Sequence, residues 1–397
     1  MLLLIQILTL IMVTLIFIDF YITRDHLSPS IAVCLPIVIS VFLFSLGLSD
    51  LLDVNSVEFF FYYICILMFF IGMYKTRPKR ILKSYNFSNY NRSKIKLVII
   101  FTQLSALLIF IIESLIVTPP LLSSTPNLNY MNFGLPIIHH AISLLNVSCV
   151  LSIIYIKLSG KKYLFYFNSI LSLCIFTLLT QRLSILIAII VSYCTYSLVF
   201  NVYLTKRKFL NLVLLSILFI GMFILLGESR LGGIKGSAIY EMTEINSDSM
   251  PSYLALPYIY ITIGIQNTVN YIAGFESIYF GLSGLLRTLP LVSPDDLLGY
   301  NLSNYQARFN FTTFAFPHLM IVDFGYFAPA LLLFFGWFIN FAYYRAIYEN
   351  LFWVVFYLSF ILPQSIFLFF ADNFFSTTLI IYLIYIYMVC YFIRKRG

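Results

Sequence analysis

Five basic residues stand apart from the rest of the chain: Arg182, Arg230, Lys235, Arg287 and Arg308. Four are arginines, whose planar guanidinium grips two phosphate oxygens at once and keeps its charge when partly desolvated. Arg182 sits in Thr180-Gln181-Arg182, a short connection between two apolar runs. Such a turn holds the guanidinium at lipid-headgroup height, either as a snorkelling anchor or as a fixed site for a lipid-linked phosphate. Arg230 follows Gly227-Glu228-Ser229 and precedes Gly232, Gly233 and Gly236. Those glycines permit close backbone approach and could form an anion-binding nest, although the GxxxxGK[ST] spacing of a nucleotide loop is absent. Arg287, in Leu285-Leu286-Arg287-Thr288, falls on an expected amphipathic surface helix, and Arg308 precedes the polar and aromatic stretch Phe309–Phe314.

Two further residues lie in an apolar run that begins near Phe314: His318, about one turn in, and Asp323. An ionised Asp that deep in a bilayer costs about 2.5–3.5 kcal/mol even on forgiving scales, so Asp323 should face the protein interior and pair with a cation or a donor. His318 could act as a general base or sit as a hydrogen-bonded structural residue. Gly325 and Pro329 follow and could bend the helix. His139-His140 is a weaker candidate, with no carboxylate at metal-ligand spacing.

The elements that must hold these residues are membrane helices. Of 397 residues 61% are hydrophobic and only 10% charged, with mean hydropathy +0.95. An average soluble domain carries about 25% charged residues, so the solvent for most of this chain is lipid. Spans of about 20 apolar residues fall near 2–22, 29–48, 57–74, 95–117, 135–157, 163–181, 183–204, 209–227, 314–339, 351–371 and 374–393. If those about eleven spans alternate, every basic residue except the five above falls on one side, which the positive-inside rule makes cytoplasmic together with the C-terminus. The net charge of +8 is thus an orientation signal and not a nucleic-acid footprint. The expected architecture is an all-α polytopic bundle divided into 1–227, the long loop 228–313 and the last three spans in 314–397. That loop is too long to be structureless. Its stretch 254–275, broken by Pro257, Gly264 and Gln266, is expected to form a re-entrant or interfacial helix, with a complete span as the second option. Ser293-Pro294-Asp295-Asp296 has the cap, proline and acids of a helix start, so capping and not metal binding is the expected role of the Asp pair. The six cysteines lie in apolar stretches without CxxC spacing and are expected to be small core hydrophobes. The apolar N-terminus has no basic n-region or cleavage site and is expected to be a retained span.

Three patches resemble the O-antigen polymerase (oligosaccharide repeat unit polymerase) family of bacterial inner-membrane proteins. Thr180-Gln181-Arg182-Leu183-Ser184 resembles its arginine-bearing turn between mid-chain spans. The stretch 253–276 resembles its loop segment of Tyr, Pro and Gly. Asn310-Phe311-Thr312-Thr313-Phe314 with Val322-Asp323-Phe324-Gly325 resembles its late N-T-F and D-F-G pattern, with Ala328-Pro329 replacing a small glycine. The resemblance implies a metal- and cofactor-independent glycosyltransferase at the periplasmic face. It would move a growing glycan from undecaprenyl diphosphate to the sugar of a new lipid-linked repeat unit, with a chain-length regulator as a possible partner. Arg182, Arg230, Arg287 and Arg308 would hold diphosphate, and His318, Asp323, Glu228 and Glu276 are the candidate catalytic groups. A flippase for the same lipid-linked unit and an O-antigen ligase remain open alternatives.

Overall fold

The computed structural model describes residues 2–23, 25–74, 87, 89–124, 129–130, 132–202, 237–246, 248–275, 277–289, 297–298, 302–308, 311–348, 351–372 and 374–395. Among them the chain is helical, with no strand and two isolated bridges, Ser49 to Ile245 and Tyr90 to Arg394. The α-helices in chain order are α1 (Leu2–Thr23), α2 (Leu35–Ser45), α3 (Val57–Tyr74), α4 (Arg92–Ile116), α5 (His140–Ser143), α6 (Leu145–Ser159), α7 (Tyr163–Leu178) and α8 (Arg182–Val199). They continue with α9 (Ser237–Thr243), α10 (Ser252–Ala273), α11 (Leu282–Thr288), α12 (His318–Phe324), α13 (Ala328–Ile347), α14 (Leu351–Phe356), α15 (Leu362–Ile366) and α16 (Thr377–Ile393). Among the described residues seven helical stretches are long and apolar enough to cross a membrane, and Ser30–Ser45, Tyr163–Leu178 and Thr377–Ile393 are shorter apolar helices. The expected span 209–227 lies outside the described residues.

The chain packs as two units. One comprises Met1–Lys79, Leu204–Phe341 and Gln364–Ser376; the other comprises Arg80–Tyr203, Ala342–Pro363 and Thr377–Gly397.

In the first unit α10 corrects one point, the expected break at Pro257, Gly264 and Gln266. It is one continuous helix of 22 residues, unbroken at Pro257, Gly264 or Gln266. Proline is tolerated there because buried neighbours, not water, set the helix's environment. Most of α10 is buried, against α2 and α3. Gly264 is needed for what runs beside it. Its carbonyl accepts Ala315 N–H at 2.9 Å, and a Cβ at position 264 would sit 3.1 Å from that nitrogen.

Residues 311–317 form that neighbour, and they correct a second expectation. The helix begins at His318, not near Phe314, because 311–315 adopt no regular secondary structure. Buried irregular backbone must find partners within the protein, and here side chains supply many of them. Asn267 Nδ2 donates to the carbonyls of Phe311 (2.8 Å) and Thr313 (2.7 Å), while its Oδ1 accepts Ala307 N–H at 2.7 Å. Thr268 Oγ1 donates to Ala315 O and the Tyr62 hydroxyl donates to Phe316 O. Against α3, helix α13 packs through glycine. A Cβ on Gly72 would overlap the Leu333 carbonyl, and one on Gly336 would overlap the Phe69 carbonyl. Small residues at such crossings let two membrane helices approach backbone to backbone.

In the second unit α6 is the central helix, buried at every residue from Leu145 to Tyr155 and flanked by α4, α7 and α8. Amides tie it in: Gln103 Nε2 donates to Leu164 O at 3.0 Å and Asn168 Nδ2 to Leu145 O at 3.2 Å. Asn91 caps α4 by accepting Ser93 and Lys94 N–H, and Gly160, in the left-handed region, ends α6 before Lys161 and Lys162.

Candidate functional site

The first unit gathers His318, Asp323 and Arg287, and adds Asp372. Two short helices meet there, and neither can cap itself with a side chain, because their N-cap residues are Gly281 and Pro317. Acids distant in sequence supply the caps. Asp323 accepts Ser283 N–H at 2.9 Å on Oδ1 and Gly284 N–H at 2.8 Å on Oδ2, at the start of α11. Asp372 accepts Leu319 N–H at 3.0 Å, at the start of α12, while its own N–H donates to Phe314 O. Gly284 is compact enough for this: a Cβ there would lie 3.0 Å from the Asp323 carboxylate. Gly325, at φ +51°, separates α12 from α13, and Pro329 falls in the first turn of α13, where a missing N–H costs nothing.

Arg287, half-buried on α11, exerts its charge on His318, Asp323 and Asp372 alike. Burial pushes the Asp372 carboxyl up to about 6; the Leu319 N–H and the Arg287 charge pull it down, and Asp323 pushes it further up. One cation between two acids is a counter-charge first and a phosphate ligand second.

His318 is 1% exposed, packed edge-on to Tyr271 at 5.0 Å and against Phe314 at 4.4 Å. Neither ring nitrogen has a hydrogen-bond partner among the described residues. The ring is enclosed by aromatic side chains, which fits a structural residue better than a general base. Arg308 closes the end of α9. Its Nη1 donates to the carbonyls of Glu241 and, at 2.6 Å, Met242, and its Nη2 lies 3.5 Å from Glu244. Those are the carbonyls a helix leaves open at its C-terminus. Glu228, Arg230, Glu276, the Ser293–Asp296 helix start and Asn310 lie outside the described residues.

Arg182 belongs to the second unit. It is the first residue of α8, half-buried, and follows Thr180 at φ +54°. Gln181, at the N-cap, makes no capping hydrogen bond. Its side chain is engaged differently: Ser184 Oγ donates to Oε1 at 3.0 Å, and Nε2 lies 3.3 Å from His139 Nε2. His139 Nδ1 in turn lies 2.8 Å from Glu113 Oε2, and Glu113 Oε1 accepts Leu135 N–H at 2.9 Å. The Glu113 side chain is 1% exposed and that of His139 25%. Glu113 and His139 form the acid–imidazole pair that spacing along the chain did not disclose. One signal was available: an acid inside an apolar run is by default a functional candidate.

Four cysteines, Cys34, Cys65, Cys149 and Cys194, are buried and free, Cys390 is half-buried and Cys174 exposed. Among the described residues no group of three or more His, Cys, Asp or Glu could hold a metal ion. Compared with known proteins, the chain matches no family model, no curated sequence and no solved structure.

Proposed function

We propose that this membrane-embedded helical protein is a transferase acting on a lipid-linked diphosphate at the non-cytoplasmic face. Within that class it is an oligosaccharide repeat unit polymerase. The observation that carries the proposal is Arg182: a guanidinium on the first residue of an 18-residue helix whose N-cap side chain does not cap it. Helix N-terminal amides and an adjacent arginine together attract a phosphate. Thr180, β-branched and in the left-handed region, marks a turn held in a disfavoured conformation, as binding sites often are. Diphosphate is a good leaving group, so the protein's work is to orient two substrates and stabilise the charge that develops on departure. Arg308 is read as closing the end of α9, and Arg287 as the counter-charge of Asp323 and Asp372.

Deletion of the gene in its host, followed by gel analysis of surface lipopolysaccharide, tests it. Polymerase loss leaves core plus one repeat without a ladder. Flippase loss leaves bare core. Ligase loss leaves bare core with polymer retained on the lipid carrier. Complementation with Arg182→Ala at wild-type membrane levels should fail to restore the ladder. A full ladder in the deletion strain refutes all three activities.

A further inference from the structure

Glycosyl transfer to a hydroxyl also needs a group that takes the hydroxyl's proton. His318 is enclosed, and Asp323 and Asp372 are spent on helix caps. The second unit offers an ordered chain instead: Ser184, Gln181, His139, Glu113. Its polarity is set at the carboxylate end. A carboxylate only accepts, so His139 Nδ1 carries the proton towards Glu113. Ser184 donates to Gln181 Oε1, so the amide's NH2 faces His139 Nε2. Nε2 therefore holds the lone pair. This is the tautomer a general base needs, set by the hydrogen bond on the opposite nitrogen.

The ring is reachable, its side chain being 25% exposed, and the Gln181 contact at 3.3 Å is long enough for a substrate hydroxyl to displace. The backbone is bent on both sides to make the meeting possible. Ile137, two residues before His139, lies at φ +67°, and Thr180, one residue before Gln181, at φ +54°. Both are β-branched, for which this region is an outlier. Gly134, at φ +111°, leaves room for the imidazole: a Cβ there would lie 2.9 Å from the ring. Buried carboxylate, oriented imidazole and strained turns meet here, and Arg182 follows Gln181 directly in the chain.

We propose that His139, positioned by Glu113, accepts the proton of an acceptor sugar hydroxyl while the donor's lipid-linked diphosphate is held at Arg182; this rests on the phosphate-site proposal for Arg182. In the step, the hydroxyl O–H bond breaks and its proton goes to His139 Nε2. The oxygen forms a new bond to the donor's anomeric carbon. The anomeric C–O bond to the diphosphate breaks, and the diphosphate leaves with the electron pair. His139 is the catalytic residue, Glu113 a positioning residue.

The test uses full-length protein in nanodiscs with His139→Gln, Glu113→Gln and Arg182→Ala. Glutamine at 113 still accepts Leu135 N–H but can present its NH2 to Nδ1, which forces the opposite tautomer. Turnover should fall on the order of 10²–10⁴-fold in His139→Gln and Glu113→Gln, while both variants keep binding undecaprenyl diphosphate. Arg182→Ala should lose that binding. Diethyl pyrocarbonate gives a readout independent of the reaction: by peptide mass spectrometry, His139 should be modified readily in the wild type and lose that reactivity in Glu113→Gln, with His140 unchanged. Full turnover by His139→Gln overturns the proposal, as does unchanged His139 modification in Glu113→Gln. Undecaprenyl diphosphate binding retained by Arg182→Ala refutes the phosphate site alone and leaves the relay standing.

Discussion

Replacing Asp323 by alanine removes the acceptor of two buried N–H groups. Ser283 and Gly284 donate to its two oxygens at 2.9 and 2.8 Å. Ser283 is fully buried and Asp323 4% exposed, so water cannot substitute for the lost carboxylate. A hydrogen bond to a charged group is worth about 1.5–3 kcal/mol, so the two together come to about 3–6 kcal/mol. That loss also frees Arg287 from one of its two acidic neighbours, which adds to the destabilisation. Asparagine keeps one acceptor oxygen and turns its NH2 against the other N–H, so Asp323→Asn should lose roughly half as much. Fluorescence-detected size-exclusion of detergent-solubilised protein after heating gives the order wild type, Asp323→Asn, Asp323→Ala. Limited proteolysis should show segment 277–289 cut first in the alanine variant, because α11 has lost its cap. An alanine variant as heat-resistant as the wild type, with unchanged proteolysis, would refute the capping role and return Asp323 to the catalytic candidates.

Gly72→Val and Gly336→Val should each abolish the monodisperse folded species, since a side chain at either position collides with the carbonyl of Leu333 or Phe69; yield and size-exclusion profile check this. For Asp372, the folded pKa of about 6 lies above the ordinary 3.8. The folded state then holds a proton that the unfolded state releases between about pH 4 and pH 6, and stability should fall by about 3 kcal/mol as pH rises through that window. Asp372→Asn retains an acceptor for Leu319 N–H and should flatten that slope in a thermal-melt series. Arg308→Ala should expose the end of α9 to protease and lower stability by about 1–3 kcal/mol, without changing undecaprenyl diphosphate binding.

Hydropathy read the apolar helices well where a helix is both apolar and bounded by charge. The expected span 57–74 coincides with α3, and 163 is the first residue of α7. It failed where apolar backbone is not helical. Phe311, Phe314, Ala315 and Phe316 are as hydrophobic as any span and buried, yet Asn267 and Thr268 hold their segment in a non-helical form. Periodicity cannot separate those states over a short run. Pro257 and Gly264 looked like breaks because proline and glycine weaken helices in water; inside a packed membrane bundle they mark close contact instead. Arg182 was legible because a basic residue in a tight turn opposes the charge bias. Glu113 and His139 were not, because a contact across 26 positions depends on how α4 and the turn before α5 meet.

Glu113 and Asp323 show why burial alone does not identify a working acid. Both carboxylates are almost completely enclosed, at 1% and 4% exposure, and each receives two hydrogen bonds. Their partners differ in kind. Asp323 is held by two backbone N–H groups, which neither titrate nor move without unfolding α11, so its charge is committed to structure. Glu113 gives one oxygen to a backbone N–H and the other to an imidazole whose side chain is 25% exposed. The first arrangement can only stabilise. The second fixes the acid with one oxygen and uses the other to orient an imidazole that can exchange a proton with something outside the protein. A partly exposed imidazole partner is the feature that separates them: the His139 side chain is 25% exposed, while His318, enclosed by Tyr271 and Phe314, is 1% exposed.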